Sequence, residues 1–379
     1  MNPLGIYIHI PYCIHKCGYC DFNSHKINEA EMPLYVEALI KEMQCVSKRI
    51  QEPRPVPSIF LGGGTPTTLP AHLLADILQA CRDCFQLNDD CEISLEANPA
   101  TVNIDHFSEI RESGYNRISI GVQSFDADDL KALDRIHSID EIHATVETAR
   151  QAGFDNLSID LMFALPGQTL DSWRKNINKA LDLKTDHLSA YNLTIEKGTA
   201  FDALYKRGAL TLPQEEDQLE LYKEAIRSFT NAGFSHYEIS NYARQGKECR
   251  HNLLYWHNED TLGFGAGAAM YFEGVRSKNV NPPAHYIRRI QENGSAVESS
   301  ERLEREHAMS ETLMLGLRLL QGLDLERFEN KFQTSFFDVY GETVDKLFAN
   351  QLLQRNGARL ALTSKGLYLA DSVILEFFS

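Results

Sequence analysis

Positive charge is scarce in this sequence. Against 53 aspartates and glutamates stand only 37 lysines and arginines, giving a formal net charge of −16 over 379 residues. That balance repels a phosphate backbone and leaves no electrostatic case for nucleic-acid binding. Long apolar runs are missing as well: no stretch approaches the roughly 18–20 consecutive apolar residues with which a helix crosses a bilayer. The N-terminus runs directly into an apolar strand without a basic leader or a cleavage site, so the expected location is cytoplasmic, with at most peripheral attachment to the inner face of a membrane. Cysteine is too sparse for a dense disulfide framework, at eight residues in the chain. Three of these crowd into eight positions near the start, which favours metal binding in a reducing compartment.

What is present is a regular alternation. Apolar strands are predicted at 5–10, 58–61, 92–96, 116–120, 156–162 and 187–191. Helical periodicity fills the intervals, at 29–47, 70–84, 103–112, 126–132 with 139–151, and 169–181. Six such units predict an α/β fold, a partial (β/α)6 barrel with its helices outside and its ligand-binding edge at the strand C-termini. The pattern changes after residue 200: a helix over 212–232, a strand at 234–239, and a polar loop carrying Cys249 to Asn258. From 301 onward the text is mainly helical, with a small hairpin at 360–363 and 366–367 suggesting a winged-helix-like C-terminal domain. The expected division is 1–210, 211–300 and 301–379. A winged helix usually suggests DNA, but this one lacks a basic cluster, and no nucleic-acid partner is expected.

The segment with most chemical content is Pro11-Tyr12-Cys13-Ile14-His15-Lys16-Cys17-Gly18-Tyr19-Cys20-Asp21-Phe22. Three thiolates spaced four and three apart can wrap one [4Fe-4S] cubane if the backbone loops, and Gly18 helps it to do so. A four-iron cluster normally takes four cysteines, so one iron is left for a small molecule. Zinc remains an alternative from the loop alone, with His9, His15 or His25 as the fourth ligand. The position of the loop between the first strand and first helix of an α/β barrel weighs against zinc. Gly62-Gly63-Gly64-Thr65 follows the second strand, where absent side chains let a ligand approach the backbone. Its spacing is neither that of a dinucleotide fingerprint nor that of a P-loop.

The stretches Tyr7-Ile8-His9-Ile10-Pro11-Tyr12-Cys13, Gly62 to Thr67, Gly121-Val122-Gln123-Ser124, Asp160 to Thr169 and His251-Asn252-Leu253-Leu254-Tyr255-Trp256 are similar to those of the radical S-adenosylmethionine superfamily. Within it, the chain resembles the group that contains anaerobic coproporphyrinogen dehydrogenase and its heme-chaperone relatives. The resemblance implies that Cys13, Cys17 and Cys20 ligate the cluster and that S-adenosylmethionine binds the open iron. It places the methionyl amino group at Gly63, Gly64 and Thr65 and the ribose at Glu96, with Gln123, Arg135, Asp160 and Tyr7 around the rest. Reductive cleavage of a carbon–sulfur bond is the chemistry this implies. Two departures point to the heme-chaperone branch: Phe22 stands where the oxidising enzymes carry a further cysteine, and their N-terminal extension is missing. His251, Tyr255 and Trp256 match that branch's motif and are the candidate heme contacts, with His251 the leading axial ligand and His257 a substitute. The implied partners are heme and a heme-accepting protein such as a membrane cytochrome, with homodimerisation a further expectation. The competing function is oxygen-independent oxidative decarboxylation of coproporphyrinogen III. Cys45, Cys81, Cys84 and Cys91 are expected in ordinary packing, and Cys249 beside His251 is left ambiguous.

Overall fold

The computed structural model describes residues 2–99 and 101–378. In chain order its strands are β1 (Leu4–Ile10), β2 (Tyr12–Cys13), β3 (His25–Lys26), β4 (Pro55–Gly63), β5 (Gln86–Ala97), β6 (Arg117–Gln123), β7 (Leu157–Phe163), β8 (His187–Asn192), β9 (Ser235–Glu238), β10 (Asn241–Ala243), β11 (Asp260–Phe264), β12 (Ala269–Phe272), β13 (Val275–Asn279), β14 (Val297–Arg302), β15 (Leu323–Asp324), β16 (Leu353–Asn356) and β17 (Arg359–Leu362). Strands β1, β4, β5, β6, β7 and β8 lie side by side and parallel, each pair linked by a helix-bearing crossover. These are the six units expected from the sequence. Their near-continuous apolar text follows from burial on both faces: β1 and β7 each expose only a central residue in part.

The sheet does not close on itself, ending at β9 on one edge and β14 on the other. A seventh parallel strand, unforeseen in the sequence, joins on the outer side of β1: β11 pairs Leu4 with Asp260 through Ile8 with Phe264. The antiparallel β12, β13 and β14 extend that edge. Two other expectations are corrected. The prolines at 55 and 57 belong to β4, not to a connector before it. The residues around His251 form a helix, Arg250–Trp256, where a loop was expected. No side chain caps its start; tertiary packing holds it, with Leu254 buried and fitted against Gly5 of β1.

A second apolar cluster, centred on Phe328, Phe336, Tyr340 and Leu360, organises the C-terminal region. Its three-stranded sheet runs β15-β17-β16. The hairpin therefore joins 353–356 to 359–362, one strand earlier than expected. Its two-residue turn is Gly357-Ala358, between the paired Asn356 and Arg359, and Gly357 takes φ +63°, a glycine-first hairpin turn that the sequence reading passed over. The segment expected to be its second strand is a short helix, Ser364–Leu367, capped by Thr363.

Candidate functional site

The cysteine loop leaves the C-terminal end of β1 and is stitched to the neighbouring strand end by backbone hydrogen bonds. Gly64 N–H donates to Ile10 O at 2.8 Å and Thr65 N–H to Tyr12 O at 2.7 Å. This contact requires glycine, because a Cβ at Gly64 would lie 2.6 Å from Tyr12 O. On the other side, Asn23 anchors the end of the loop by donating to Ala266 O at 2.9 Å and Asn281 O at 2.8 Å. Cys13 is buried, Cys17 and Cys20 are half-buried, and all three line one cavity with Gly63, Gly64, Thr65, Glu96, Gln123, Arg135 and Asp160. The structure thus brings together every expected site residue from β4 through β7, at the C-terminal ends of the parallel strands. Tyr7 is the exception. Its ring lies deeper, with its hydroxyl 3.0 Å from His9 Nδ1.

The three histidines considered as zinc ligands are committed elsewhere. His9 Nε2 is 2.8 Å from Asn23 O, His15 Nε2 is 2.8 Å from Asp134 Oδ2, and His25 Nε2 is 3.0 Å from Asn23 Oδ1. Among the described residues, no group of three or more His, Cys, Asp and Glu side chains converges as a single-ion site would require. Three thiols lining one cavity supply the donor chemistry of an iron–sulfur cluster. Burial pushes the Cys13 and Cys20 thiols above their ordinary range. On the rim a guanidinium faces the third thiol, with Arg135 Nη1 3.5 Å from Cys17 Sγ.

Arg135 is itself held in place: its Nη2 donates to Asn98 Oδ1 and to Gly121 O, both at 2.7 Å. Its Nε is buried without a partner, a donor left for a ligand. Asn98 also donates to Thr65 Oγ1 at 2.7 Å, and that oxygen is 3.5 Å from Cys13 Sγ. Asn98 thus joins the threonine, the arginine and two of the thiols. Sequence reasoning missed it, although Asn98-Pro99 directly after β5 is a strand-end signal. Opposite, Glu96 accepts from Gly63 N–H at 3.2 Å. Burial, reinforced by the charge of Asp160, pushes Glu96 up to about 8. Burial also raises Asp160, whose oxygens each accept from Ser119 Oγ at 3.3 Å.

Beneath this rim lies a second cavity of about 210 Å³, lined by Tyr7, Glu96, Arg117, Asp160, His251 and Tyr255 among others. Both ring nitrogens of His251 are engaged: Nδ1 is 3.0 Å from Ser58 Oγ and Nε2 is 3.1 Å from Tyr255 OH. Burial lowers its pKa to about 3. Trp256 points elsewhere, with the guanidinium of Arg318 4.5 Å from its ring centroid. The three candidate heme contacts do not share one surface. Arg117, fully buried and with two partnerless nitrogens, faces the same inner cavity and had no signal in the sequence beyond its place on β6.

A parallel sheet with three thiols at one strand end, beside a glycine-lined, acid-bearing rim, defines a radical SAM protein. The family model for the radical SAM superfamily matches residues 7–180, and that for the HemN C-terminal domain matches 303–369. Heme chaperone HemW of Lactococcus lactis is 37% identical over 99% of this chain and 97% of its own. Heme chaperone HemW of Escherichia coli is 34% identical over 100% of this chain and 98% of its own. The chain belongs to the HemW family of the radical SAM superfamily. Among solved structures, the coproporphyrinogen III oxidase HemN of Escherichia coli superposes with a TM-score of 0.85 at 25% identity, covering 99% of this chain and 90% of that one.

Proposed function

We propose that the protein is a heme carrier that takes up heme and passes it to an acceptor protein such as a membrane cytochrome. The observation that carries this reading is the similarity, over essentially the whole chain, to proteins named heme chaperones. Cys13, Cys17 and Cys20 would hold a [4Fe-4S] cluster, and the rim beside them would hold S-adenosylmethionine at the iron that no cysteine occupies. When bound, the cluster supplies single electrons to the sulfonium of this cosubstrate.

The chain's own residues supply the positioning. The glycine segment admits the ligand to the backbone, since a Cβ at Gly62 would sit 3.0 Å from Glu96 Oε2. Arg135, fixed by Asn98 and Gly121, presents its spare Nε to a carboxylate. Glu96 and Asp160 accept from hydroxyl and ammonium groups. Gln123, held at φ +68°, aims its amide along the same rim. Phe22, exposed at the mouth of the cavity, offers no thiol there.

No helix among the described residues is long and apolar enough to cross a membrane. In this reading the protein works in the cytoplasm and meets a membrane-bound acceptor at its inner face. The test is to measure heme uptake and coproporphyrinogen turnover on one anaerobically reconstituted sample. Heme binding without carbon dioxide release is expected. Protoporphyrinogen with matching carbon dioxide would overturn the reading in favour of the oxidase, the activity named for the superposed structure.

A further inference from the structure

We infer that the heme seat is the groove between β8, the helix Glu215–Asn231 and the C-terminal segment 367–372, remote from the ring of His251. This rests on the carrier reading above and gives that reading a place on the molecule. The groove has a volume of about 540 Å³, within the range of roughly 300–1,000 Å³ that holds ligands of cofactor size. One wall is aromatic. Tyr222 stacks on Phe163 with centroids 6.0 Å apart and meets Tyr368 edge-on at 6.2 Å. Its hydroxyl donates to Ile239 O at 2.7 Å, so this ring is locked in place. At the mouth, Tyr191 and Leu369 are 40% and 46% exposed, large apolar surfaces left facing the groove. A flat ligand with two apolar faces suits such walls.

The polar inventory narrows the ligand. Arg318 is the groove's only lining cation among the described residues, against Glu215 and Asp371. It lies over Trp256 and 3.9 Å from buried Glu238, with Nε partnerless. One guanidinium suits the paired propionates of heme, whereas the four carboxylates of a coproporphyrin would also meet the two acids. Trp256 thereby acts through Arg318, holding it from behind. No histidine, cysteine or methionine is among the lining residues described, so binding there rests on the apolar walls and on the propionates, with no strong bond from a side chain to iron. Such a seat suits a carrier that must release its cargo. Tyr191 also lines the inner cavity with Glu96 and Asp160, so the groove adjoins the cosubstrate rim.

Hemin is titrated by absorbance into the reconstituted full chain and its variants, with iron content and S-adenosylmethionine binding measured alongside. Leu369→Glu places a charge at an exposed position and should fold normally; it is expected to weaken hemin binding roughly tenfold or more, as is Tyr368→Ala. Iron content and cosubstrate affinity should stay at parent values. Coproporphyrin III should bind the parent more weakly than hemin. Parent-like hemin affinity in both variants, with loss in His251→Ala, overturns the seat and leaves the carrier reading standing. A parent that binds no hemin overturns the carrier reading, and the seat with it.

Discussion

The imidazole of His9 fills the volume that a side chain at Gly63 would need. A Cβ built on Gly63 would fall 2.3 Å from His9 Cε1, and Gly63 holds φ at +109°. The same imidazole spans from Tyr7 OH to Asn23 O, so the inner barrel, the glycine segment and the end of the cysteine loop meet at one ring.

Gly63→Ala is therefore expected to destabilise the protein by about 2–4 kcal/mol, from overpacking together with left-handed backbone strain. Cosubstrate binding should fall with it. Urea unfolding and calorimetric titration check both, and an alanine variant of parent stability would show that the ring yields easily.

The eight cysteines should separate into two classes. Alanine at Cys13, Cys17 or Cys20 is expected to remove most of the iron and the broad visible absorbance, since each is one of three ligands. Alanine at Cys81, buried with its sulfur 3.9 Å from Met43 Sδ, should leave the iron in place and cost stability instead. Iron analysis of the four variants decides it; full iron in the first three would remove the cluster assignment.

Affinity for S-adenosylmethionine should rise between pH 7 and 9. Burial and the charge of Asp160 place Glu96 near 8, so the form that accepts hydroxyl donors becomes populated only across that interval. Glu96→Gln should flatten the dependence and weaken binding roughly tenfold at pH 9, the loss of a charge-assisted hydrogen bond. Titrations of both proteins at several pH values read this directly, and a slope retained by the glutamine variant would assign the titration to another group.

Stability has its own pH signature in Glu42. This buried carboxyl accepts from Gly265 N–H at 2.9 Å, Tyr286 OH at 2.7 Å and Asn279 Nδ2 at 2.7 Å, tying the helix Met32–Ser47 to the outer part of the sheet. Glu42→Ala strands three donors and is expected to cost about 3–5 kcal/mol. Burial raises its pKa from 4.5 to about 7, so the folded state holds a proton that the unfolded chain has released across that window. Its contribution to stability is present at low pH and lost as pH rises through 7. The melting temperature of the parent should fall over that range more than that of Glu42→Gln.

The six parallel strands of the strand-helix units and the cysteine loop were legible because each announces itself locally, by an apolar run, a glycine triplet or a tight spacing of thiols. Residues that act by joining distant segments were not. Asn98 bridges Thr65 to Arg135, Asn23 reaches Ala266 and Asn281, and Glu42 collects three partners from beyond residue 264. Nothing beside them in the sequence marks these roles. The helix at Arg250–Trp256 was hidden for a related reason: it is short, four of its seven residues are middling helix formers (His251, Asn252, Tyr255 and Trp256), and it packs on β1. The family motif located His251 and Trp256 correctly in the chain, yet the turn between them sends one ring into the barrel and the other toward Arg318.

The pairing of β1 with β11 sets an order of events in the life of the chain. The strand that launches the cysteine loop gains its outer neighbour only from residues 260–264, and Asn23 finds its second anchor 258 positions later. At a synthesis rate of about 5–20 residues per second, the gap is on the order of tens of seconds. Through that interval the nascent chain carries its three thiols on a loop whose far support has yet to emerge from the ribosome. A cluster held by these thiols would then be loaded on the finished polypeptide, and oxidation of the thiols before release is the hazard that the long return of the chain would create.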